Sequence, residues 1–309
     1  MKENSKKFRM LDGLYLCMII LPIVAAMVIK ILTASPPDGS ISIAGARILW
    51  QPFKDMGLNP IVDLIISEAQ VNSWLILITI VGLCLFLTHG IQADKRDWRQ
   101  LAAEWVVEKL DGLVTESMHP VYHKAYPPFI GAIIALSACS SFMSLFGLFP
   151  PTSDVNVIGG WGLLVFILVT KTKLKGGLLN YAGGFLQPVF IMLPMNILSE
   201  VMLPVAMSFR HFGNVMSGTV VATLVAWALQ NLSNLVLGWL PGFLGTIPFL
   251  QIGIPAVLSV YFDLFSSSLQ AYIFAMLTML NISENYPEDV IQERLAKREA
   301  RKAKKAKAA

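Results

Sequence analysis

Between Gly176 and Ser283 the chain carries one basic residue, Arg210, and two acids, Glu200 and Asp263. These three charges are set in long apolar runs, and that placement limits what they can do. A fixed guanidinium makes a nearby carboxyl group give up its proton or ion more readily, and it repels a cation that tries to pass. An arginine at the centre of a membrane helix costs about 2.5–3.5 kcal/mol on insertion scales, so such a residue usually faces a partner, a cavity or an ion path. The alternative is an arginine that snorkels to a helix end. Arg210 has about 24 residues of apolar run before it and about 19 after it, which puts both ends out of easy reach.

The elements that must position these charges follow from composition. The 309 residues are 55% hydrophobic and 14% charged, with a mean hydropathy of +0.63. Ordinary soluble domains are about 25% charged. The net charge of +4 is made at the two ends, Met1–Arg9 and Arg294–Lys307, so nucleic acid is a poor partner. A membrane-spanning helix needs about 20 mostly apolar residues. Six runs qualify: Leu14–Leu32, Val71–Thr88, Pro128–Phe149, Val157–Thr170, Leu186–Leu229 and Ile247–Ile282. The fold expected is an all-α integral membrane protein with about six membrane helices, two of them long. Asp94–Ser117 mixes Trp98, Leu101, Trp105, Val106, Leu110 and Leu113 with charges at helical spacing, which predicts an amphipathic helix along the membrane surface. Ala34–Gln70, with Pro36, Pro37, Gly39, Pro52 and Pro60 among short β-branched runs, predicts an irregular segment outside the membrane.

Basic clusters at Lys2–Arg9, Lys95–Arg99, Lys171–Lys175 and Arg294–Lys307 all fall on one side of a six-span topology. That side is cytoplasmic and holds both termini. Pro150–Asn156 and Asn231–Gly245, on the other side, contain no Lys or Arg. The first run also has the basic start and apolar core of a signal peptide, but its length and the lack of a small-x-small site favour a retained helix. Cys17, Cys84 and Cys139 are far apart in apolar stretches and read as core residues. No nucleotide-binding loop, metal cluster or nucleophilic triad is present in the pattern, so no catalytic residue, metal or cofactor is expected.

Around the arginine the sequence runs Pro204-Val-Ala-Met-Ser-Phe-Arg210-His-Phe-Gly-Asn214-Val-Met-Ser-Gly218-Thr219. This resembles the a-subunit family of F-type ATP synthases. Three further segments resemble the family in the same order: Thr152-Ser-Asp154-Val-Asn156, Leu186-Gln187-Pro188, and Leu269-Gln270-Ala271 with Ile273-Phe274 and Leu277-Thr278. The resemblance covers roughly Asn72 to Ser283. It divides the chain into an added helix and external loop (1–70), a family core (71–283) and a basic tail (284–309). It implies a membrane-sector stator subunit lying against a ring of c-subunits, with two offset half-channels and Arg210 at the divide, coupling H⁺ or Na⁺ flow to ring rotation and ATP synthesis. It also implies b-type peripheral stalk subunits and the remaining ATP synthase subunits as partners, in a bacterial plasma membrane.

Two positions depart from the family pattern. Thr219 stands where the family commonly has a carboxylate or histidine, and Asp263 stands where it commonly has histidine or a carboxylate. At 1.5 Å per residue Thr219 lies about 13 Å beyond Arg210, and Asp263 about 10 Å beyond Gln270, both toward the outside. If Gln270 is level with Arg210, the two positions face each other in the outer half-channel. Glu200 lies about 15 Å toward the cytoplasm, either on the inner half-channel or as a helix-entry acid in water. Asn214 either bonds the guanidinium or a water, or makes an interhelical hydrogen bond. His211 points about 100° away from Arg210 and reads as a helix contact. Ser266, Ser267 and Ser268 read as packing residues, and Asp154 and Asn156 as a helix cap. The tail reads as a solvated segment drawn to anionic lipid. A secondary transporter with Arg210 binding an anion would commonly show two related halves, and no internal repeat is evident. A scaffold without transport leaves Arg210 and Asp263 unexplained.

The topology has a direct test. Single cysteines introduced as Ser40→Cys and Lys305→Cys, treated with an impermeant thiol reagent on intact cells, should label at 40 and not at 305. Labelling at 305 would overturn the orientation.

Overall fold

The computed structural model describes residues 2–33, 45–51, 65–91, 97–119, 125–186, 189–237 and 249–308. Most of the loop expected over Ala34–Gln70 lies outside these residues, as do Gln187 and Pro188, part of the Lys95–Arg99 cluster and much of the connection after Asn231. In hydrocarbon a backbone must satisfy its polar groups within the segment, so apolar runs form helices. They do so here: α1 (Lys2–Thr33), α2 (Glu68–Thr88), α3 (Trp98–Ser117), α4 (Pro127–Phe142), α5 (Val155–Lys173), α6 (Leu178–Phe185), α7 (Leu193–Leu237), α8 (Phe249–Ser259), α9 (Ser267–Glu284) and α10 (Glu288–Ala308). Two short strands, β1 (Ile48–Trp50) and β2 (Ile66–Ser67), pair antiparallel. Among the described residues six segments are long and apolar enough to cross a membrane: Met10–Leu32, Glu68–Thr88, Pro127–Phe146, Val155–Gly176, Phe190–Val236 and Gly253–Glu284. The protein is an all-α, multi-pass membrane protein.

Two compact units are distinguishable. The first comprises Met1–Glu104, Ala135–Ile158 and His211–Ala271. Here α1 packs along α2 closely enough that a Cβ on Gly82 would sit 2.8 Å from the Met18 Cβ. At one end Asp12 on α1 accepts from Arg99 Nη1 (3.0 Å) and meets His89 Nδ1 at 3.1 Å. At the other, Lys30 donates to the Gly147 carbonyl, Asn72 Nδ2 to the Phe149 carbonyl (2.8 Å), and Arg47 Nε to Glu68 Oε2 (2.8 Å). Gly147 has φ +69°, the left-handed conformation that glycine adopts without strain and that ends the short helical turn before it. Asp154 caps α5, its Oδ1 accepting from the Asn156 amide at 2.9 Å.

The second unit comprises Trp105–Ile134, Gly159–Arg210 and Tyr272–Ala309. Its core gathers Val114 and Met118 from α3, Ile130 and Ile133 from α4, Val165 and Val169 from α5, Met207 from α7, and Phe274, Met279 and Ile282 from α9. The apolar stripe read on α3 therefore divides. Leu113 and Val114 pack inward, while Trp98, Leu101 and Trp105 stay exposed, as a helix at a membrane surface requires. In the tail, Glu288–Ala308 form a helix. Alanine, glutamate, lysine and arginine are strong helix formers, and Glu293 pairs with Lys297 one turn on.

In the second unit α5 lies close against α7 at Gly162, where a Cβ would stand 2.2 Å from Ser208 Oγ and 2.9 Å from the Pro204 carbonyl oxygen. The serine can move but the backbone oxygen cannot without shifting α7. Gly162→Val should therefore sharply lower the amount of this subunit assembled in membranes, read by subunit content. Gly160→Ala, at a site with nothing within 4 Å, should leave it unchanged.

Candidate functional site

Helix α7 is 45 residues long and carries most of the residues singled out above. Ala206, Arg210, Gly213 and Ser217 recur at spacings of four, three and four, so they share one face, and all four are exposed. Gly213 has nothing within 4 Å of where a Cβ would be. Arg210 thus stands on an open, small-residue face, the kind that lets another helix approach closely. His211 points elsewhere. It is fully buried with Nε2 3.2 Å from the Ser137 hydroxyl of α4, a helix contact as its position on the helix predicts. Thr219 donates its hydroxyl to the Val215 carbonyl (3.0 Å), which leaves only oxygen lone pairs for other partners.

Asp263 sits in a wide turn, Val260–Ser266, with i→i+5 hydrogen bonding between α8 and α9. The Ser267 amide and hydroxyl both reach the Phe262 carbonyl, the hydroxyl at 2.9 Å. The straight-helix spacing from Gln270 to Asp263 is therefore corrected. A π-type turn takes in extra residues, so those before it gain less height and face a different direction than α-helical arithmetic gives. Two contacts fix its level against α7. Ser266 Oγ donates to Asn214 Oδ1 at 2.7 Å. A Cβ on Gly218 would meet the Phe262 Cβ at 2.9 Å. Thr219 and Asp263 each follow one member of the second contact, so they come at similar depth, as the sequence suggested. For Asn214 the interhelical hydrogen bond is what forms, and its Nδ2 is buried without a partner among the described residues. The Ser259 hydroxyl is hydrogen-bonded to Asp263. Gln270 is buried on α9.

Glu200 is not a lone acid in water. Its Oε2 lies 2.5 Å from Lys173 Nζ of α5, with the two side chains 13% and 20% exposed. The pair lines an open cleft of about 850 Å³ within the second unit. Two polar triplets line it as well: Asn196, Ser199 and Glu200 on α7, and Asn281 and Glu284 of α9 with Asn285 just after it. Each has i, i+3, i+4 spacing, which places three side chains on one helix face. Asn196 Nδ2 donates to the Phe185 carbonyl at the end of α6 (2.9 Å). Burial, and then the negative charge of Glu200, push the Tyr181 phenol above its usual range. Sequence reasoning found Glu200 but not Lys173, Tyr181 or the α9 triplet. The paired i, i+3, i+4 spacing was the signal that could have revealed the cleft. Among the described residues no three His, Cys, Asp or Glu side chains gather as a metal site.

Glu200 and Arg210 belong to the second unit, and Asn214, Thr219, Asp263 and Gln270 to the first. The sequence profile of the ATP synthase A chain matches residues 71–283. The chain is 25% identical over 221 residues to ATP synthase subunit a 1 of Crocosphaera subtropica, covering 71% of this chain and 86% of that one. It is 32% identical over 165 residues to ATP synthase subunit a 2 of a Bradyrhizobium species, covering 52% of this chain and 72% of that one. The matched region contains every charge and polar contact of α7 and α9 up to Ser283, and more than half of the chain. The chain belongs to the ATP synthase A chain family, as a subunit a of the membrane sector that assembles with the other ATP synthase subunits.

Proposed function

We propose that this subunit is the stator against which a ring of c-subunits turns, with Arg210 at the divide between two half-channels. The isolation of Arg210 carries the reading: it is the sole basic residue of Gly176–Ser283, on an exposed face of α7 flanked by Ala206, Gly213 and Ser217. A ring helix bearing a carboxyl group fits such a face. As that carboxyl nears the guanidinium it releases its ion and passes as an anion, while the same charge bars direct ion passage between the half-channels. Each ion takes about 2.3 kcal/mol per 100 mV from the membrane field, and rotation carries that energy to the ATP-making head.

Asp263 serves the outer half-channel and Glu200 the inner. The contacts of 214 with 266 and of 218 with 262 bring Thr219 and Asp263 to similar depth, which supports the placing of Asp263 on the same path as Thr219. Gln270 supplies a further polar group of the ion path. Asn214, joined to Ser266, braces the two long helices. The coupling ion is H⁺ or Na⁺. The remaining contacts are with b-type peripheral stalk subunits and membrane lipid, in a bacterial plasma membrane with both termini cytoplasmic. Residues 71–283 form the transport core, 1–70 an added helix and external loop, and 284–309 a cytoplasmic tail.

Asp263→Ala should slow ion-driven ATP synthesis severely, whereas Thr219→Val, which removes a hydroxyl already bonded to its own helix, should slow it mildly. Normal coupled rates in Asp263→Ala would remove Asp263 from the path. Arg210→Gln keeps much of the length and hydrogen bonding but not the charge. In assembled enzyme it should abolish synthesis while passive ion leak persists or rises. Arg210→Lys keeps the charge without the planar fork and should be nearly as impaired. Both are read by ATP synthesis and ion flux in vesicles, with assembly checked by subunit content. Wild-type synthesis in Arg210→Gln would sink the stator reading.

A further inference from the structure

The cleft of the second unit holds an ion pair whose lysine, Lys173, the stator reading leaves without a role. Lys173 comes from the last turn of α5, just before the chain leaves its span, and reaches Glu200 on α7 at 2.5 Å. The other titratable groups lining the cleft are Tyr181, Glu284 and Tyr286. Between Glu200 and Arg210 the sequence of α7 contains no other ionisable residue. The one hydroxyl on that stretch, Ser208, is turned back onto the Pro204 carbonyl. Glu200 is therefore the last ionisable group on α7 before the arginine. Pro204, four residues on, has no N–H to give the Glu200 carbonyl, so that oxygen also lacks its helical donor.

We propose, resting on the stator reading, that Lys173 is a positioning residue of the inner ion path, holding Glu200 as a fixed and charge-compensated way-station between the ring and the cleft. A nearly buried carboxylate without a counter-charge binds a passing cation too tightly to release it. One held against an ammonium offers an acceptor without forming a trap. Conduction needs both properties, binding strong enough to enter and weak enough to leave. The asparagines and serine of the two triplets supply hydrogen-bonding groups that can stand in for water along the rest of the cleft.

The test uses assembled enzyme in inverted membrane vesicles, reading ATP synthesis and passive ion flux through the membrane sector after the soluble head is stripped. Lys173→Met should lower both by roughly tenfold at normal subunit content, since it strands a nearly buried charge. Lys173→Arg should restore most of the rate. The exchange variant Lys173→Glu/Glu200→Lys keeps a pair but moves the carboxylate to α5. It should assemble normally yet still conduct poorly. Full flux in the exchange variant would show that the pair is only a staple, and full flux in Lys173→Met would remove the lysine from the path. Should neither variant assemble, Ser199→Cys decides: modification by a water-soluble thiol reagent should block flux, and unchanged flux after complete modification overturns the proposal. Arg210→Gln in the same vesicles separates the two ideas. Lost synthesis with persisting leak in that variant, alongside normal Lys173→Met rates, rejects only the inference about Lys173.

Discussion

Hydrocarbon does not solvate charge, and the arrangement of this protein follows from that one fact. An ion moved there without compensation loses several kcal/mol of hydration even after the protein relaxes around it. Charges are accordingly collected at the chain ends and at helix termini, or they are paired: Asp12 with Arg99 and His89, Arg47 with Glu68, Lys173 with Glu200. Neutral polar groups obey a softer version of the same rule. The hydroxyls of Thr79, Thr172, Ser208, Thr219 and Thr278 each donate to a carbonyl four residues back, so they enter the apolar layer already satisfied. Against that background Arg210 and Asp263 stand out as charges carried within the long apolar runs.

The second constraint concerns how helices hold together where lipid is as apolar as leucine. Burial against lipid gives little drive, so contact has to come from close packing and interhelical hydrogen bonds. Glycine supplies the first. At Gly82, Gly162 and Gly218 a single Cβ would run into the facing helix at under 3 Å. Hydrogen bonds supply the second, through Ser266 with Asn214 and Ser137 with His211. On α7 the two devices sit one turn apart, at 214 and 218, which fixes the register with the helix that bears Asp263. A rigid register matters for an electrostatic device, because the influence of one charge on another depends on a distance the scaffold must hold constant.

The wide turn at Val260–Ser266 links these themes. It breaks the regular α-helical ladder around Asp263, and hydroxyl groups from Ser259 and Ser267 bond within it. Turns of this kind recur at functional sites because they turn a side chain and loosen backbone carbonyls without ending the helix.

The sequence by itself determined the class of protein, the number of spans and the identity of the charged residues on the long helices. It could do so because hydrophobic length and the scarcity of charge are properties of a chain, independent of what packs where. Tertiary structure decided the rest. Whether Asn214 served Arg210 or a neighbouring helix depended on Ser266, 52 residues away in sequence. That Glu200 was paired depended on Lys173, 27 residues earlier and in the sequence simply part of a basic cluster. The cleft required two polar triplets, each unremarked on its own helix, to be brought face to face. The wide turn required hydrogen bonds five residues apart, which the pattern of apolar residues does not encode. These are relations between segments, and their energies come from distances that exist only once the helices have packed.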